Sequence, residues 1–152
     1  MSSWLEIPDE SDFSLANIPY GIATIKDDPC RKSPFCATAL GNYVINLAVL
    51  QDAGAFDAIP ELLPDTFSKS TLNQFLEHSP KVWPLVRMRL IGILGVEEGW
   101  LRDNEVLRNA CVVDRSRVLM HLPVKIGEYT DFYSSREHAT NVGVSTNVDL
   151  SY

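Results

Sequence analysis

Alternating apolar and polar positions mark two neighbouring strands in the first third of the chain. Residues 35–40 and 43–47 are rich in strand-forming side chains, and Gly41-Asn42 between them is typical of a tight hairpin turn. A shorter alternating run over residues 21–26 predicts another strand just before the hairpin. The pattern therefore predicts a small antiparallel sheet.

Helical spacing of apolar residues follows the hairpin. Residues 48–56 and 71–77 predict two short helices. A longer helix is predicted to end near Gly95, with Ser79 as its N-cap and Pro80 at its first position, where a missing N–H costs little. Its apolar stripe, which we interpret as core, consists of Trp83, Val86, Leu90, Ile93 and Leu94.

The last part of the first domain is predicted from charge and short apolar runs. Residues 97–109 are charged and predict a surface connection, whereas residues 110–113 and 118–120 favour strands. We place a domain boundary near Arg117, which divides the chain into residues 1–117 and 118–152. The predicted fold class is α+β, mainly β, with helical insertions in the first domain.

Composition and charge narrow the classes of partner. The formal net charge of −7 argues against a nucleic-acid binder, because such proteins cluster lysine and arginine against phosphates. No apolar run approaches the roughly 18 residues of a membrane span, and the acidic N-terminus is unlike a signal peptide, so we expect no membrane partner and a cytoplasmic location. Cys30, Cys36 and Cys111 lack metal-site spacing and are expected to be reduced.

Polar side chains that can carry chemistry are concentrated in residues 126–143. Residues 129–133 are predicted to form a strand, in which Asp131 and Tyr133 project from the same face because side chains alternate along a strand. A carboxylate and a phenol are thereby predicted to lie side by side.

A short helix is predicted directly after that strand. Ser134 and Glu137 have the spacing of a capping box, and Gly143 is a natural stop, so the helix is predicted over residues 135–142 with His138 in its second turn. Spacing alone leaves two interpretations open. Either the imidazole is catalytic, or these are ordinary polar residues around a capped helix.

A family resemblance favours the catalytic interpretation. The sequence IGEYTDFYSSREHATNVG, at residues 126–143, resembles the start of the catalytic domain in the fumarylacetoacetate hydrolase family. Shorter strings occur in the same order as in that family: NIPYG at 17–21, TLNQF at 71–75, LRDNEVLRNA at 101–110 and MHLP at 120–123.

The resemblance implies a small SH3-like β-barrel domain, followed by a β-rich catalytic domain that forms a homodimer. The implied reaction splits a carbon–carbon bond of the β-diketone acid fumarylacetoacetate with water, giving fumarate and acetoacetate in tyrosine and phenylalanine catabolism. By matching position, Asp131 would ligate calcium, Tyr133 would contact the substrate and His138 would be the general base. The family enzyme also uses magnesium.

The chain departs from the family pattern after Gly143. The following residues match nothing in the family, and the other ligands and oxyanion-stabilising groups of the site are expected in sequence that the chain lacks. We therefore expect a truncated catalytic domain that is inactive alone. The alternative is a non-catalytic binding or assembly module, or a truncated isoform.

Overall fold

The computed structural model describes residues 2–26 and 33–146. The strands are β1 (Tyr20–Ile25), β2 (Phe35–Leu40), β3 (Tyr43–Asn46), β4 (Val112–Asp114) and β5 (Val118–His121). The helices are α1 (Leu47–Asp52), α2 (Asn73–Glu77), α3 (Val82–Leu94), α4 (Gly99–Arg102), α5 (Glu105–Cys111) and α6 (Arg136–Thr146), with short 3-10 helices at Thr66–Ser68 and Arg115–Arg117.

The five strands form one antiparallel sheet in the order β4-β3-β2-β1-β5. The predicted hairpin is confirmed, with Leu40 opposite Tyr43 and a left-handed φ of 55° at Gly41. A Cβ at Gly41 would lie 2.8 Å from the carbonyl oxygen of Glu6, so both the turn and the packing favour glycine there. The strand predicted before the hairpin is confirmed as β1.

The α+β class is confirmed, but two details of the prediction need comment. The sheet of the described residues is open, with β4 and β5 as its two edges, so an SH3-like barrel stays a prediction. The expectation of a mainly β chain is wrong, because more of the described residues lie in helices than in strands.

The helix α3 supplies one wall of the core. Four residues of the predicted stripe, Val86, Leu90, Ile93 and Leu94, are buried, which confirms them as core. Trp83 is only partly buried against the core, and Val82 beside it is buried instead. The helix begins two residues after Pro80, because the carbonyl of Ser79 closes a preceding turn by accepting from the N–H of Val82 at 2.8 Å. Lys81, rather than Ser79, therefore flanks the first helical residue.

Residues 97–109 correct the sequence analysis. They form α4 and most of α5 instead of a surface connection. Leu101 is fully buried, and so is Cys111 at the end of α5. The side chain of Asn104 caps α5 by accepting from the N–H of Leu107 at 3.1 Å. Isolated apolar residues among the charges thus anchor two short helices to the core.

The short helix α1 ends earlier than predicted. It stops at Asp52, and Gly54 then adopts a left-handed φ of 83°, as glycine commonly does just past a helix end. At its start, the side chain of Asn46 accepts from the N–H groups of Ala48 and Val49 at 3.0 and 3.2 Å. The helix is therefore limited by a cap at each end.

Two cysteines lie in the core. Cys36 and Cys111 are buried free thiols, as expected, and burial raises the pKa of both to about 12. Cys30 lies outside the described residues. Within residues 2–26 and 33–146, the structure contains no helix with the length and apolar character of a membrane span.

Candidate functional site

The chain approaches the candidate site along the edge of the sheet. β5 follows the predicted boundary at Arg117 and pairs with β1, with Val118 opposite Ile25. The boundary itself stays a prediction. Beyond β5, the carbonyl of Pro123 accepts from the N–H of Leu72 at 2.7 Å, so the chain passes close to the start of α2.

The next residues lie on the outside of the molecule. Residues 126–133 have no regular secondary structure and are all exposed, including Ile126, Tyr129 and Phe132. The strand predicted over residues 129–133 is wrong. A strand is stabilised by a neighbour that takes up its backbone hydrogen bonds, and none of the five described strands pairs with this segment.

The predicted helix is present, but both its ends are displaced. The helix α6 covers Arg136–Thr146, and the hydroxyl of Ser135 accepts from the N–H of His138 at 3.1 Å. Ser135 rather than Ser134 therefore caps the helix, and the predicted capping box of Ser134 with Glu137 is wrong. The predicted stop at Gly143 is also wrong, because glycine inside a helix costs only about 1 kcal/mol relative to alanine and does not prevent its continuation.

Tyr133 and His138 come together at the start of α6. Their ring centroids are 5.4 Å apart, and the planes meet at 60°, an edge-on contact that aromatic rings favour. Both side chains are exposed, so they are open to a molecule in solvent. This is the pair of predicted site residues that the structure brings together.

Asp131 is not joined to this pair by a hydrogen bond or an ion pair within the described part of the chain. Its side chain is exposed. Calcium usually takes about six to eight oxygen ligands, and magnesium about six. No cluster of three or more His, Cys, Asp or Glu side chains suited to a metal occurs among residues 2–26 and 33–146, so the described residues do not by themselves fit either ion.

Sequence reasoning missed the residue that holds the chain before the site. The side-chain amide of Asn73 donates to the carbonyl of Lys125, and its oxygen accepts from the N–H of Lys125, each at 2.9 Å. The family-like string TLNQF contains Asn73 and was the one sequence feature that pointed to this residue. Its role could not be predicted, because Asn73 contacts a residue 52 positions away, which no local pattern shows.

These features define a small α+β domain with an open antiparallel sheet, followed by an exposed segment, residues 126–138, that carries the pair of Tyr133 and His138. Residues 16–123 match the fumarylacetoacetase N-terminal family. The chain therefore belongs to that family, as the resemblance had implied.

Curated relatives extend the similarity over nearly the whole chain. It is 42% identical to the fumarylacetoacetase of Caenorhabditis elegans over 146 residues, which is 95% of this chain and 34% of that relative. It is 40% identical to that of Aspergillus fumigatus over 149 residues, again 95% and 34%. It is 35% identical to that of Homo sapiens over 142 residues, 93% and 33%. The chain thus spans about a third of the length of these relatives.

Proposed function

We propose that this chain supplies the first domain and the first active-site residues of a fumarylacetoacetase, a hydrolase that cleaves a carbon–carbon bond. The observation that carries the proposal is the alignment of relatives named fumarylacetoacetase over 93–95% of the chain, a range that includes the exposed segment. The substrate is fumarylacetoacetate, and the products are fumarate and acetoacetate, in tyrosine and phenylalanine catabolism.

His138 is the general base in this proposal. A neutral imidazole carries a ring nitrogen that accepts a proton, so it can take one from a water molecule. The hydroxide attacks the carbonyl that becomes the new carboxylate of fumarate. The carbon–carbon bond then breaks, and its electron pair leaves with acetoacetate, which gains a proton.

Tyr133 is the substrate contact. Its ring lies edge-on to the imidazole with a centroid separation of 5.4 Å, so a substrate that touches the phenol also lies close to the base. Exposure of half the Tyr133 side chain leaves room for that contact. The two residues are therefore suited to bind and activate at one place.

Asp131 is proposed as one calcium ligand. A carboxylate is a hard oxygen donor of the kind that calcium prefers, and a bound divalent cation polarises carbonyl oxygens as a Lewis acid. The remaining ligands, and those of magnesium, would come from outside the described residues. A homodimer, a cytoplasmic location and an SH3-like closure of the first domain belong to the same proposal.

A fusion protein tests the role of His138. The chain is joined to the remaining two thirds of the Caenorhabditis elegans relative, and loss of the diketone absorbance is followed with and without calcium. His138→Ala should lower kcat by about 100-fold or more, the usual size of a general-base contribution.

His121→Ala is the matched control, because His121 is an exposed histidine on β5 whose Nε2 lies 2.9 Å from Thr24 Oγ1. It should leave kcat within about twofold. A fusion that turns over equally well without His138 would refute the proposed base. Turnover by the 152-residue chain alone would contradict the expectation that it is inactive.

A non-catalytic assembly module is the second candidate, and exposed apolar side chains favour it. Leu119, Met120, Leu122, Ile126 and Phe132 are 54–84% exposed along β5 and the segment after it. Sedimentation of the chain with the full-length Caenorhabditis elegans enzyme tests this function. The module function is supported if the chain binds the full-length enzyme and if Leu122→Ser and Ile126→Ser abolish this binding while His138→Ala does not. If the chain does not bind, the module function is refuted.

A further inference from the structure

Two of the family-like strings meet in the structure, although 44 residues separate the end of one from the start of the other. The first is TLNQF at 71–75, and the second is MHLP at 120–123. Leu72 donates its N–H to the carbonyl of Pro123 at 2.7 Å, and the side chain of Asn73 binds the backbone of Lys125, two residues further on. The start of α2 thus holds residues 123–125 through three hydrogen bonds.

The side chain of Asn73 makes the two hydrogen bonds to Lys125 that the backbone of a neighbouring strand would make. Its oxygen accepts from the N–H of Lys125 and its amide donates to the carbonyl of the same residue, both at 2.9 Å. Two residues of antiparallel strands exchange the same two bonds. A primary amide carries both functions, whereas a carboxylate only accepts. Aspartate at position 73 would keep the shape of the side chain but lose the amide N–H that donates to the carbonyl of Lys125.

Residues 123–125 are anchored, whereas the side chains directly before and after them are exposed. Val124 is half-buried and packs against the main core. Leu122 before it is 84% exposed, and Ile126 after it is 75% exposed. Residues 126–130 are exposed without exception. The chain therefore leaves the packed sheet and helices at Lys125.

The position of Lys125, where the chain leaves the packed residues, limits where the candidate site can lie. Six residues lead from Lys125 to Asp131, and an extended chain of that length reaches at most about 20 Å. Because the segment between them has no regular structure, its position depends on how firmly its first residue is held. Loosening Lys125 would let Asp131 and Tyr133 move relative to the first domain.

We propose that Asn73 is a positioning residue, which fixes Lys125 as the point where the chain leaves the packed sheet and helices. It thereby sets where Asp131, Tyr133 and His138 lie relative to the sheet. The consequence for catalysis rests on the proposed function; the positioning itself does not. Asn73 acts through the backbone of Lys125 and touches no reacting group.

Spin-label distances test the positioning directly. Labels are attached to cysteines at Met88, which is 59% exposed on α3, and at exposed Thr130, in a chain with Cys30→Ser and with the buried Cys36 and Cys111 retained. Asn73→Ala should broaden the distance distribution, and Asn73→Asp should broaden it less. Gln74→Ala is the matched control, because this neighbouring amide donates to Asp65 instead of to residues 123–125.

Amide exchange of Lys125 gives a second reading. Asn73→Ala should speed it by about tenfold relative to Gln74→Ala, because the acceptor of its N–H is removed. Equal distance distributions in the parent chain and Asn73→Ala would overturn the proposal. A lower melting temperature with an unchanged distribution would assign Asn73 a stabilising role only and would likewise overturn it. Both readings are independent of turnover, so a fusion that turns over equally well without His138 would refute the proposed base and leave the positioning role of Asn73 intact.

Discussion

The first domain and the exposed segment that follows it bury their aromatic residues very differently. Phe67 is fully buried, with the rings of Phe56 and Phe75 at 5.2 and 5.1 Å. Phe132, in the exposed segment, is 72% exposed. Buried apolar side chains are therefore concentrated in the first domain, whereas the candidate catalytic residues lie where this chain provides little packing. The two regions should respond differently to the same kind of substitution.

The largest contrast is expected between two phenylalanines. Phe67→Ala should lower the free energy of unfolding by about 3–5 kcal/mol, because it removes a buried ring and leaves a cavity. Phe132→Ala should change it by less than about 0.5 kcal/mol, as for an ordinary surface position. Urea unfolding followed by tryptophan fluorescence measures both. Equal losses would mean that the exposed segment is part of the cooperative core.

Two arginines give the next contrast. Arg89 donates to both carboxylate oxygens of Glu98 at 2.6 and 2.8 Å and to the carbonyl of Ala55 at 2.8 Å, and its guanidinium lies 5.4 Å from the ring of Trp100. Arg89→Lys should cost about 2 kcal/mol, because an ammonium cannot keep this planar set of bonds. Arg136→Lys, at the exposed start of α6, is the control and should cost less than about 0.5 kcal/mol. If Arg89→Lys lowers the free energy of unfolding no more than Arg136→Lys does, the hydrogen bonds of Arg89 make no net contribution to stability.

Removing a helix cap should lower the stability of the whole fold at α1 but only loosen the local structure at α6. Asn46→Ala removes the cap of α1, a buried side chain that accepts two N–H groups, and should cost about 1 kcal/mol of global stability. Ser135→Ala removes the bond to the N–H of His138 and should fray the first turn of α6 without moving the global midpoint. Urea midpoints and residue-specific amide exchange distinguish the two. A shift of the global midpoint by Ser135→Ala would contradict the separation.

Alkaline pH should give the smallest effect, and only in the first domain. Burial raises the pKa of the Cys36 and Cys111 thiols to about 12 from an ordinary 9.0. Since the folded-state pKa is the higher one, this contribution to stability is complete below about pH 9 and is lost as pH rises toward 12. The urea midpoint should fall slightly from pH 8 to pH 9.

The sign follows from proton binding. Above pH 9 the unfolded chain has released thiol protons that the folded chain still holds, so rising pH favours unfolding. Cys36→Ala should reduce the fall in midpoint between these two pH values. A fall of the same size in Cys36→Ala would assign the pH dependence to other groups.

The elements that the sequence predicted correctly share one property: their signal is contained in neighbouring residues. The hairpin was readable from alternation and Gly41, and α3 from its apolar stripe. Residues 97–109 were predicted wrongly because their charges mask Leu101, whose burial depends on core residues far away in sequence. Gly143 was misjudged for a related reason, since a glycine can end a helix and does not have to.

The candidate site was predictable to a similar extent. Asp131, Tyr133 and His138 were selected from the sequence, and the structure joins Tyr133 with His138. The strand expected over residues 129–133 failed because a strand requires a partner, which local composition cannot provide. The contact of Asn73 with Lys125 escaped prediction because both residues look like ordinary surface polar residues.

The sequence by itself determined the hairpin, the core face of α3, the family and the three candidate site residues, because local periodicity and ordered motifs encode them. Only the tertiary structure decided that the sheet is open, that α4 and α5 replace a surface loop, and that Asn73 holds the backbone at Lys125. These features depend on contacts between distant residues. Their energies arise only when the folded chain removes both partners from water or aligns their hydrogen bonds.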